Sequence, residues 1–489
     1  MEGEAMFQLN KNEYLDKLHA CWLGKNIGGT MGAPYEGTRK FLDIKGFATP
    51  SGEPMPNDDL DLQLVWLCAM EDIGPAQMNA NVLSEYWLDW IPPHWNEYGI
   101  CKTNLRLGLL PPMSGEVDNE KWKTSNGAWI RSEIWASLAP GVPDVAVKYA
   151  AMDAMVDHGV SEGVCAEIFT ACMQSLAYVE SNIRLLIHAA LSKIPEDSMT
   201  AQTVKLVIDC YERGIDYRET QEKVLALNAD LGWFQAPANL GFVVIGLLYG
   251  EGDFLKSLLC AINCGDDTDC TGATVGATLG IIGGTAAIPE ELKAHVGDRI
   301  VTVSLNGMYS HRIPKTCSVL TDRVFALVPS VFRANRVSFA FTDAASDYPA
   351  NEVAYWNRLT SADILARPPY SYDVTVYRPL TVRVAYDDSP RVSAGDTRRV
   401  TLTFRCNPEL YESRKLQIHL LLPDGWSVDR YDRTVSLPYP QYAHGIYGCT
   451  ETAFTVTVGD NVDVVMRAYA EITSPTLPYP MMIPMIFIG

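Results

Sequence analysis

The chain has 489 residues, which is too many for one hydrophobic core, so we expect two or more domains. Hydrophobic residues make up 47% of it and charged residues 20%, which is ordinary for a globular protein and argues against disorder. The formal net charge is -20, and no Lys/Arg run interrupts the acidic excess, so the composition excludes nucleic acid as a partner.

The first residues, "MEGEAMFQLNKNEYLDKLHACW", lack the continuous apolar stretch of a secretory signal, and no apolar run is long enough to span a bilayer. The 12 cysteines show neither a CxxC pair nor zinc spacing, and many lie in apolar helical segments, which is typical of reduced thiols. We therefore expect a cytoplasmic protein with no membrane partner, and export only if a signal peptide has been lost from the sequence.

From about Tyr14 to Gly297, apolar residues recur at three-to-four spacing, which predicts a series of helices. Several of these segments are apolar on more than one face, so we expect them inside a large bundle rather than on its surface. The segments with this pattern are "YLDKLHACWLGKNIGGTMGA", "DLDLQLVWLCAMEDIG", "VAVKYAAMDAMVDHG", "GVCAEIFTACMQSLAYV", "NIRLLIHAALSKIP", "AQTVKLVIDCYERGID" and "GDFLKSLLCAINCG".

Acidic residues cluster at the start of one predicted helix, in "PNDDLDLQLVWL". Asn57 suits the N-cap position, and Asp58, Asp59 and Asp61 follow in the first turn. Helix capping alone explains these residue types if the segment is considered by itself.

A second acidic cluster lies in "CGDDTDCTGATVGATLG", which begins at Cys264. The glycines and alanines that follow the acids predict close packing against another helix. One aspartate in a first helical turn is favoured by the helix dipole, by about 0.3–1 kcal/mol. Three of them, Asp266, Asp267 and Asp269, repel one another beside an apolar helix unless a cation neutralises them.

Together, two helix starts with clustered acids predict one shared metal site. The donors are oxygens, and no His or Cys spacing competes with them, which favours Mg²⁺, Mn²⁺ or Ca²⁺ over Zn²⁺. Four or more carboxylates leave room for two ions, as in binuclear hydrolytic sites.

From about Tyr370 the period of the sequence changes to two, which predicts strands and a β-sandwich. The alternating segments are "YDVTVYRPLTVRVAYDD", "TRRVTLTFRC", "KLQIHLLLPDGWSV", "TAFTVTVGDNVDVVMRAYAEI" and "MMIPMIFIG". The predicted fold class is mostly α, with an all-α bundle over residues 1–315, a connector over 316–369 and a β-sandwich over 370–489.

Five motifs occur in an order that resembles the ADP-ribosylglycohydrolase family. They are "WLGKNIGGTMGAPYEG", "NDDLDLQ", "SNGAWIR", "DHGVSEGVCAE" and "GDDTDCTGATVGATLG". The resemblance covers roughly the first 300 residues and implies an all-α bundle that binds two Mg²⁺ or Mn²⁺ ions in a central cleft. Beyond it, "LLPDGWSV" resembles the accessory β-sandwich domains of carbohydrate-active enzymes.

The resemblance implies that the metal ligands come from the two acidic clusters. They are Asn57, Asp58, Asp59, Asp267, Asp269 and Cys270. Asn57 stands where the family has a threonine, and its amide still offers an oxygen. Cys270 stands where a threonine hydroxyl coordinates the ion, and a thiol is a poor ligand for Mg²⁺. We therefore expect one of the two ions to be weakly held or absent.

The resemblance also implies substrate contacts. Glu36 matches the glutamate that family members place beside the scissile ribose. Ser125, Asn126 and Gly127 match a substrate loop whose backbone amides and short polar side chain approach a sugar or phosphate, although "SNG" is also typical of a plain turn. His158, in "DHGVSEGV", is assigned to substrate binding, with a helix-end histidine favoured by the helix dipole as the alternative.

The function implied is metal-dependent hydrolysis of a glycosidic bond to ribose, in an ADP-ribosyl protein or an ADP-ribose derivative. Glu36, Asp58 or Asp269 would act as general acid or base. One alternative is hydrolysis of another furanoside or a glycan, which the β-rich tail favours. The other is an inactive, crystallin-like member, which the departures at Asn57 and Cys270 favour. A homo-oligomer formed through the β domain is a further expectation.

Overall fold

The structure, a computed structural model, describes residues 7–347, 364–377, 380–406, 413–439, 448–475 and 478–489. They form two compact units, of which the first is helical and the second is built mainly of strands. The first unit comprises the residues up to Gly99 together with Asn119–Ala366, and the second comprises Ile100–Asp118 together with Arg367–Gly489.

The described residues contain sixteen α-helices, and each segment with helical spacing in the sequence forms one of them. Their bounds are α1 Lys11–Gly32, α2 Asp58–Ile73, α3 Ala80–Trp90, α4 Asn96–Leu107, α5 Met113–Glu116, α6 Glu133–Leu138, α7 Pro143–His158, α8 Glu162–Ala177, α9 Ile183–Leu191, α10 Met199–Glu212, α11 Tyr217–Leu227, α12 Ala236–Tyr249, α13 Phe254–Ile262, α14 Thr268–Gly283, α15 Glu290–Val296 and α16 Cys317–Ala334.

Local chemistry sets many helix ends. Asn57, Ser198 and Asp253 are N-caps whose side-chain oxygens accept backbone N–H groups of the first turns of α2, α10 and α13. At the other end, Gly74 follows α2 with φ 80° and Gly297 follows α15 with φ 73°, a left-handed conformation that favours glycine.

Helices α1 and α14 pack backbone to backbone along a line of glycines. A β-carbon built on Gly24 would lie 2.1 Å from the carbonyl oxygen of Gly276, and one built on Gly28 would lie 2.0 Å from that of Gly272. Only glycine allows this approach, which confirms the close packing predicted from the small residues of α14. The contact continues to Gly32 and Thr268, so it brings the start of α14 to the end of α1.

The middle of the bundle consists of helices that are buried on all sides. In α8 and α14 almost every residue is buried, as the apolar character of more than one face predicted. A short parallel pair, β1 (Phe7–Asn10) and β2 (Phe339–Thr342), joins the two ends of this unit. Among the residues that the structure describes, no helix has the length and the apolar character that a membrane crossing requires.

The second unit contains two antiparallel sheets, as the period of two predicted. The strands are β3 Ser371–Tyr377, β4 Leu380–Tyr386, β5 Thr397–Cys406, β6 Arg414–Leu421, β7 Ser427–Val428, β8 Asp432–Leu437, β9 Cys449–Thr457, β10 Val465–Thr473 and β11 Met481–Ile488. The strand orders are β11-β10-β6-β8 and β3-β4-β5-β9-β7. Inward-facing residues of both sheets, such as Val384, Leu402 and Ile483, belong to one hydrophobic core.

Candidate functional site

The two predicted acidic clusters meet in space where α2 and α14 begin. Asp59 from α2, and Asp269 and Cys270 from α14, each offer one ligand atom, and the three atoms lie within 4.8 Å of one another. All three residues are buried. Helices that are distant in sequence therefore contribute to one group of ligand atoms.

A second group shares one residue with the first. Glu36, Asp267 and Asp269 also offer ligand atoms within 4.8 Å of one another, so Asp269 belongs to both groups. The backbone beside them is paired, since the amide of Asp266 donates to the carbonyl of Thr38 at 3.0 Å. This pairing holds the loop after α1 against the start of α14.

Buried oxygens of both groups lack hydrogen-bond partners within the described residues. They are Oδ2 of Asp59, Oδ1 of Asp267 and Oδ1 of Asp269. Burial raises the pKa of all three carboxyl groups, and the negative charge of Asp269 raises those of Asp59 and Asp267 further. A divalent cation would compensate both the unpaired oxygens and the repulsion, so these residues fit a hard cation such as Mg²⁺, Mn²⁺ or Ca²⁺.

Two further predicted ligands lie at the start of α2. Oδ1 of Asn57 accepts the backbone N–H of Asp59 at 2.7 Å, so this side chain caps the helix. Asp58 lines the cleft, and the hydroxyl of Tyr98 donates to its Oδ2 at 3.4 Å. Burial and the charge of Asp269 raise the pKa of Asp58 to about 6.

Cys270 acts as a hydrogen-bond donor within the first group. Its Sγ donates to Oδ1 of Asp59 at 3.2 Å. Burial and the charges of Asp267 and Asp59 raise the pKa of the thiol well above its ordinary value, so the proton stays on sulfur. A protonated thiol is a poor ligand for Mg²⁺, so the position between Asp59 and Cys270 is the weaker of the two for a hard cation.

A buried lysine lies behind this weaker position. Nζ of Lys25 donates to the carbonyl of Ile130 at 2.7 Å and lies 3.1 Å from Oε2 of Glu133. Burial opposes its charge, but the carboxylate of Glu133 raises the pKa of Lys25. This ammonium also lowers the pKa of Asp59 and so compensates part of the negative charge of the first group.

Glu36 is the most exposed member of the second group. Partial burial, followed by the charges of Asp269 and Asp58, raises its pKa to about 7. A carboxyl group with a pKa near neutral pH can both hold and release a proton under physiological conditions.

The loop that the sequence assigned to substrate binding lines the cleft, but its polar groups are largely engaged within the chain. The amide of Ser125 donates to the carbonyl of Trp122 and the amide of Asn126 to that of Phe234, both at 3.0 Å. Nδ2 of Asn126 donates to Oδ2 of Asp267 at 2.7 Å, which ties the loop to the acidic cluster. These two amides are therefore engaged by a local turn and by a long-range bond, and the assignment of the loop to substrate binding stays a prediction.

His158 lies behind the loop. Its Nε2 is 3.2 Å from Oγ of Ser125, and its Nδ1 is 3.0 Å from Oδ1 of Asp157. Nη2 of Arg131 donates to the same Asp157 oxygen at 2.7 Å, and Nε of Arg131 donates to Asp153 at 3.0 Å. His158 thus contacts the lining of the cleft through Ser125. The charge of Arg131 is neutralised by two buried carboxylates.

One further acidic residue of the cleft was not found from the sequence. Glu97, in the first turn of α4, is 6% exposed, and its Oε2 has no hydrogen-bond partner. Burial raises its pKa to about 7, while His158 and the Ser125 hydroxyl act in the opposite direction. The only signal in the sequence is a glutamate beside a helix start in "HWNEYG".

These residues surround a cleft of about 540 Å³. Its walls come from the loop after α1, the starts of α2, α4 and α14, and the Ser125–Gly127 loop. The lining residues are Ala33, Glu36, Met55, Pro56, Asp58, Trp95, Asn96, Glu97, Tyr98, Ser125, Asn126, Gly127, Ile130, Phe234, Asp267, Asp269, Cys270 and Val303. Five of them are acidic and, among the described residues that line the cleft, none is Lys, Arg or His.

The chain is similar to one known protein family and to several solved structures. The family model described as ADP-ribosylglycohydrolase matches residues 10–324. Among solved structures, 41 chains match. One, described as an "ADP-ribosylglycohydrolase-related protein complex", is 18% identical, with a TM-score of 0.41, and the match covers 66% of this chain and 99% of that chain. No curated protein matches the chain.

Proposed function

This chain belongs to the ADP-ribosylglycohydrolase family, and from that premise we propose that it is a metal-dependent hydrolase of a glycosidic bond to a ribose-type furanose. The observation that carries the proposal is the position of Asp269, which belongs to two groups of ligand atoms and lines the cleft. In a merely structural helix start, three buried carboxylate oxygens would not be left without partners.

The ligands divide between two positions. Glu36, Asp267 and Asp269 would hold one cation through carboxylate oxygens alone, and Asp59, Asp269 and Cys270 would hold a second one more weakly. When bound, such a cation supplies positive charge beside the hydroxyl groups of the sugar and the bond that breaks. Asp58, which also lines the cleft, is a candidate for either position.

The reaction breaks the bond between the anomeric carbon and the leaving group, and the oxygen of a water molecule bonds to that carbon. One proton must reach the leaving group, and another must leave the water. In the metal-free protein the pKa of Glu36 is about 7, and its carboxyl group is suited to hold one of these protons where it does not bind the cation, because a bound cation lowers that pKa. Asp58, with a pKa of about 6 in the metal-free protein, is the second candidate for proton transfer on the same condition.

A second substrate class is favoured by the charge of the cleft. Five acidic residues and no basic one line it in the described part of the chain. Four of these residues, Glu36, Asp58, Asp267 and Asp269, are candidate cation ligands whose charge a bound cation offsets, so Glu97 is the lining acid that remains to repel the diphosphate of an ADP-ribosyl group. An uncharged furanoside or glycan is not repelled by it.

The test is to incubate the protein with ADP-ribosylated peptide, O-acetyl-ADP-ribose, nucleosides and aryl furanosides, with and without Mg²⁺ or Mn²⁺. We expect turnover of at least one ribosyl compound that is lost with EDTA and in Asp269→Asn. Turnover that is indifferent to metal would contradict the metal-dependent mechanism. A protein that hydrolyses none of these compounds would favour the inactive, crystallin-like alternative.

A further inference from the structure

The polar groups around the Ser125–Gly127 loop determine which part of a substrate can lie beside it. Phosphates are bound by backbone amides, by Arg or Lys, or by helix N-termini that are open to the ligand. Here the amides of Ser125 and Asn126 already donate to carbonyl groups of the chain. Both polar atoms of the Asn126 amide are also engaged, Nδ2 with Asp267 and Oδ1 with the indole N–H of Trp129.

The side chain of Glu97 covers this loop. A β-carbon built on Gly127 would lie only 2.1 Å from Oε1 of Glu97, so the carboxylate rests directly on the glycine backbone. The hydroxyl of Ser125 lowers the pKa of this carboxyl group, and its oxygen is in hydrogen-bond contact with Nε2 of His158 at 3.2 Å. The side chain of Ser125 is therefore already engaged within the chain.

Oε2 of Glu97 has no hydrogen-bond partner among the described residues, although the residue is only 6% exposed and lines the cleft. A buried carboxylate oxygen without a partner needs a donor, such as a sugar hydroxyl group. It also repels any negatively charged group placed beside it.

Among the described residues that line the cleft, no Lys, Arg or His offsets this charge. Arg131 lies beneath the loop, but its guanidinium bonds to Asp153 and Asp157. Lys25 is paired with Glu133. The charged groups that act on Glu97 itself are His158, which favours the carboxylate, and Asp157, which opposes it.

Resting on the proposed glycohydrolase function, we propose that Glu97 restricts this cleft to phosphate-free glycosides, whose hydroxyl groups donate to its carboxylate, and excludes nucleoside diphosphate sugars. Glu97 thereby determines that the part of a substrate beside the Ser125–Gly127 loop is a sugar and not a phosphate. It lies outside both groups of cation ligands, so specificity and metal binding are separable by mutation.

The test measures binding of ribose, ribose 5-phosphate and ADP-ribose by calorimetry in Mg²⁺ at about pH 8, above the pKa of Glu97. The wild-type protein should bind ribose about tenfold or more tightly than ribose 5-phosphate. Glu97→Gln keeps the shape of the side chain and removes its charge, so the ratio should fall by about tenfold while Mg²⁺ affinity is unchanged. Glu120→Gln, at an exposed glutamate, should leave the ratio as it is.

Tighter binding of ribose 5-phosphate or ADP-ribose than of ribose by the wild-type protein would overturn the inference while leaving the glycohydrolase function intact. A ratio that Glu97→Gln does not change would do the same. A wild-type protein that binds Mg²⁺ but none of the three compounds would instead contradict the proposed function, and the role of Glu97 with it. Mg²⁺ affinity also serves as the folding control, because a misfolded variant would lose it.

Discussion

The thiol of Cys270 donates a hydrogen bond to the carboxylate of Asp59 across 3.2 Å, and the two residues are 211 positions apart in the chain. This contact joins the first turn of α14 to the first turn of α2. It exists because the glycine line of α1 and α14 fixes where α14 begins, and because Asn57 caps α2 beside it. The contact also leaves a protonated sulfur atom in one of the two groups of ligand atoms that could hold a cation.

Asp269→Asn should abolish cation binding and stabilise the metal-free protein. Asp269 belongs to both groups of ligand atoms, so no complete group remains after the change. Without metal, the change removes one of several buried like charges, and we expect the free energy of unfolding to rise by about 1–2 kcal/mol. Calorimetry with Mn²⁺ and urea unfolding in EDTA measure the two effects. Asp230→Asn, at an exposed aspartate, should change neither, and retained Mn²⁺ affinity in Asp269→Asn would contradict the site.

Cys270→Thr should strengthen the weaker position for Mg²⁺. A threonine hydroxyl is a hard donor, whereas the thiol is soft and protonated, so we expect Mg²⁺ affinity at this position to rise by about tenfold. Affinity for Cd²⁺, which prefers sulfur, should fall in the same variant. The exposed thiol provides the control Cys449→Thr, which should leave both affinities unchanged. Equal Mg²⁺ binding before and after Cys270→Thr would show that residue 270 does not contact the cation.

The metal-free protein should be more stable at about pH 5 than at about pH 8. Burial raises the pKa of Asp58 from 3.8 to about 6 and that of Asp61 to about 7. A carboxyl group whose pKa is raised by folding contributes stability that is fully present below its unfolded pKa and is lost as the pH rises through its folded pKa. For Asp58 alone the loss is on the order of 3 kcal/mol between about pH 4 and pH 7.

Urea midpoints in EDTA at several pH values measure this loss, and Asp58→Asn should flatten the profile. Addition of Mg²⁺ at about pH 8 should restore the lost stability, because the cation binds the ionised carboxylates. A metal-free protein that is equally stable at both pH values would show that these carboxyl groups titrate normally.

Lys25→Met should destabilise the protein by about 3–5 kcal/mol, since it leaves Glu133 buried without its cation. The double variant Lys25→Met/Glu133→Gln removes both charges, and should lose less stability than Lys25→Met alone. Lys45→Met, at an exposed lysine, is the control and should have little effect. Chemical unfolding in EDTA provides the comparison, and a double variant less stable than Lys25→Met would contradict the pairing.

The architecture could be predicted from local patterns. Periods of three-to-four and of two residues predicted the helices and strands, and the small residues of α14 predicted its close packing against another helix, which the structure identifies as α1. The proximity of Asp59 and Asp269 could also be predicted, because one shared metal site explains clustered acids at two helix starts. Each of these signals lies within a short stretch of sequence.

Glu97 and Lys25 could not be assigned in that way. Glu97 lies at the start of α4, whose sequence "NEYGICKTNLRL" mixes polar and apolar residues without a clear period. Lys25 is one polar residue within α1, and its role depends on Glu133, more than a hundred positions later. Both residues become functional candidates only when the fold supplies their neighbours. The hydrogen bond of the Asn126 amide could not be predicted either, because its acceptor is the carbonyl of Phe234, which is distant in sequence.

The most direct measurement is a calorimetric titration of the metal-free protein with Mn²⁺, repeated on Asp59→Asn and Asp267→Asn. One carboxylate belongs to α2 and the other immediately precedes α14, and both lie in the groups that share Asp269. We expect the wild-type protein to bind at least one Mn²⁺ per chain, and each variant to lose about tenfold or more in affinity or one bound ion. A wild-type protein that binds no Mn²⁺, or two variants that both bind as the wild type does, would contradict a metal site shared between the two helices.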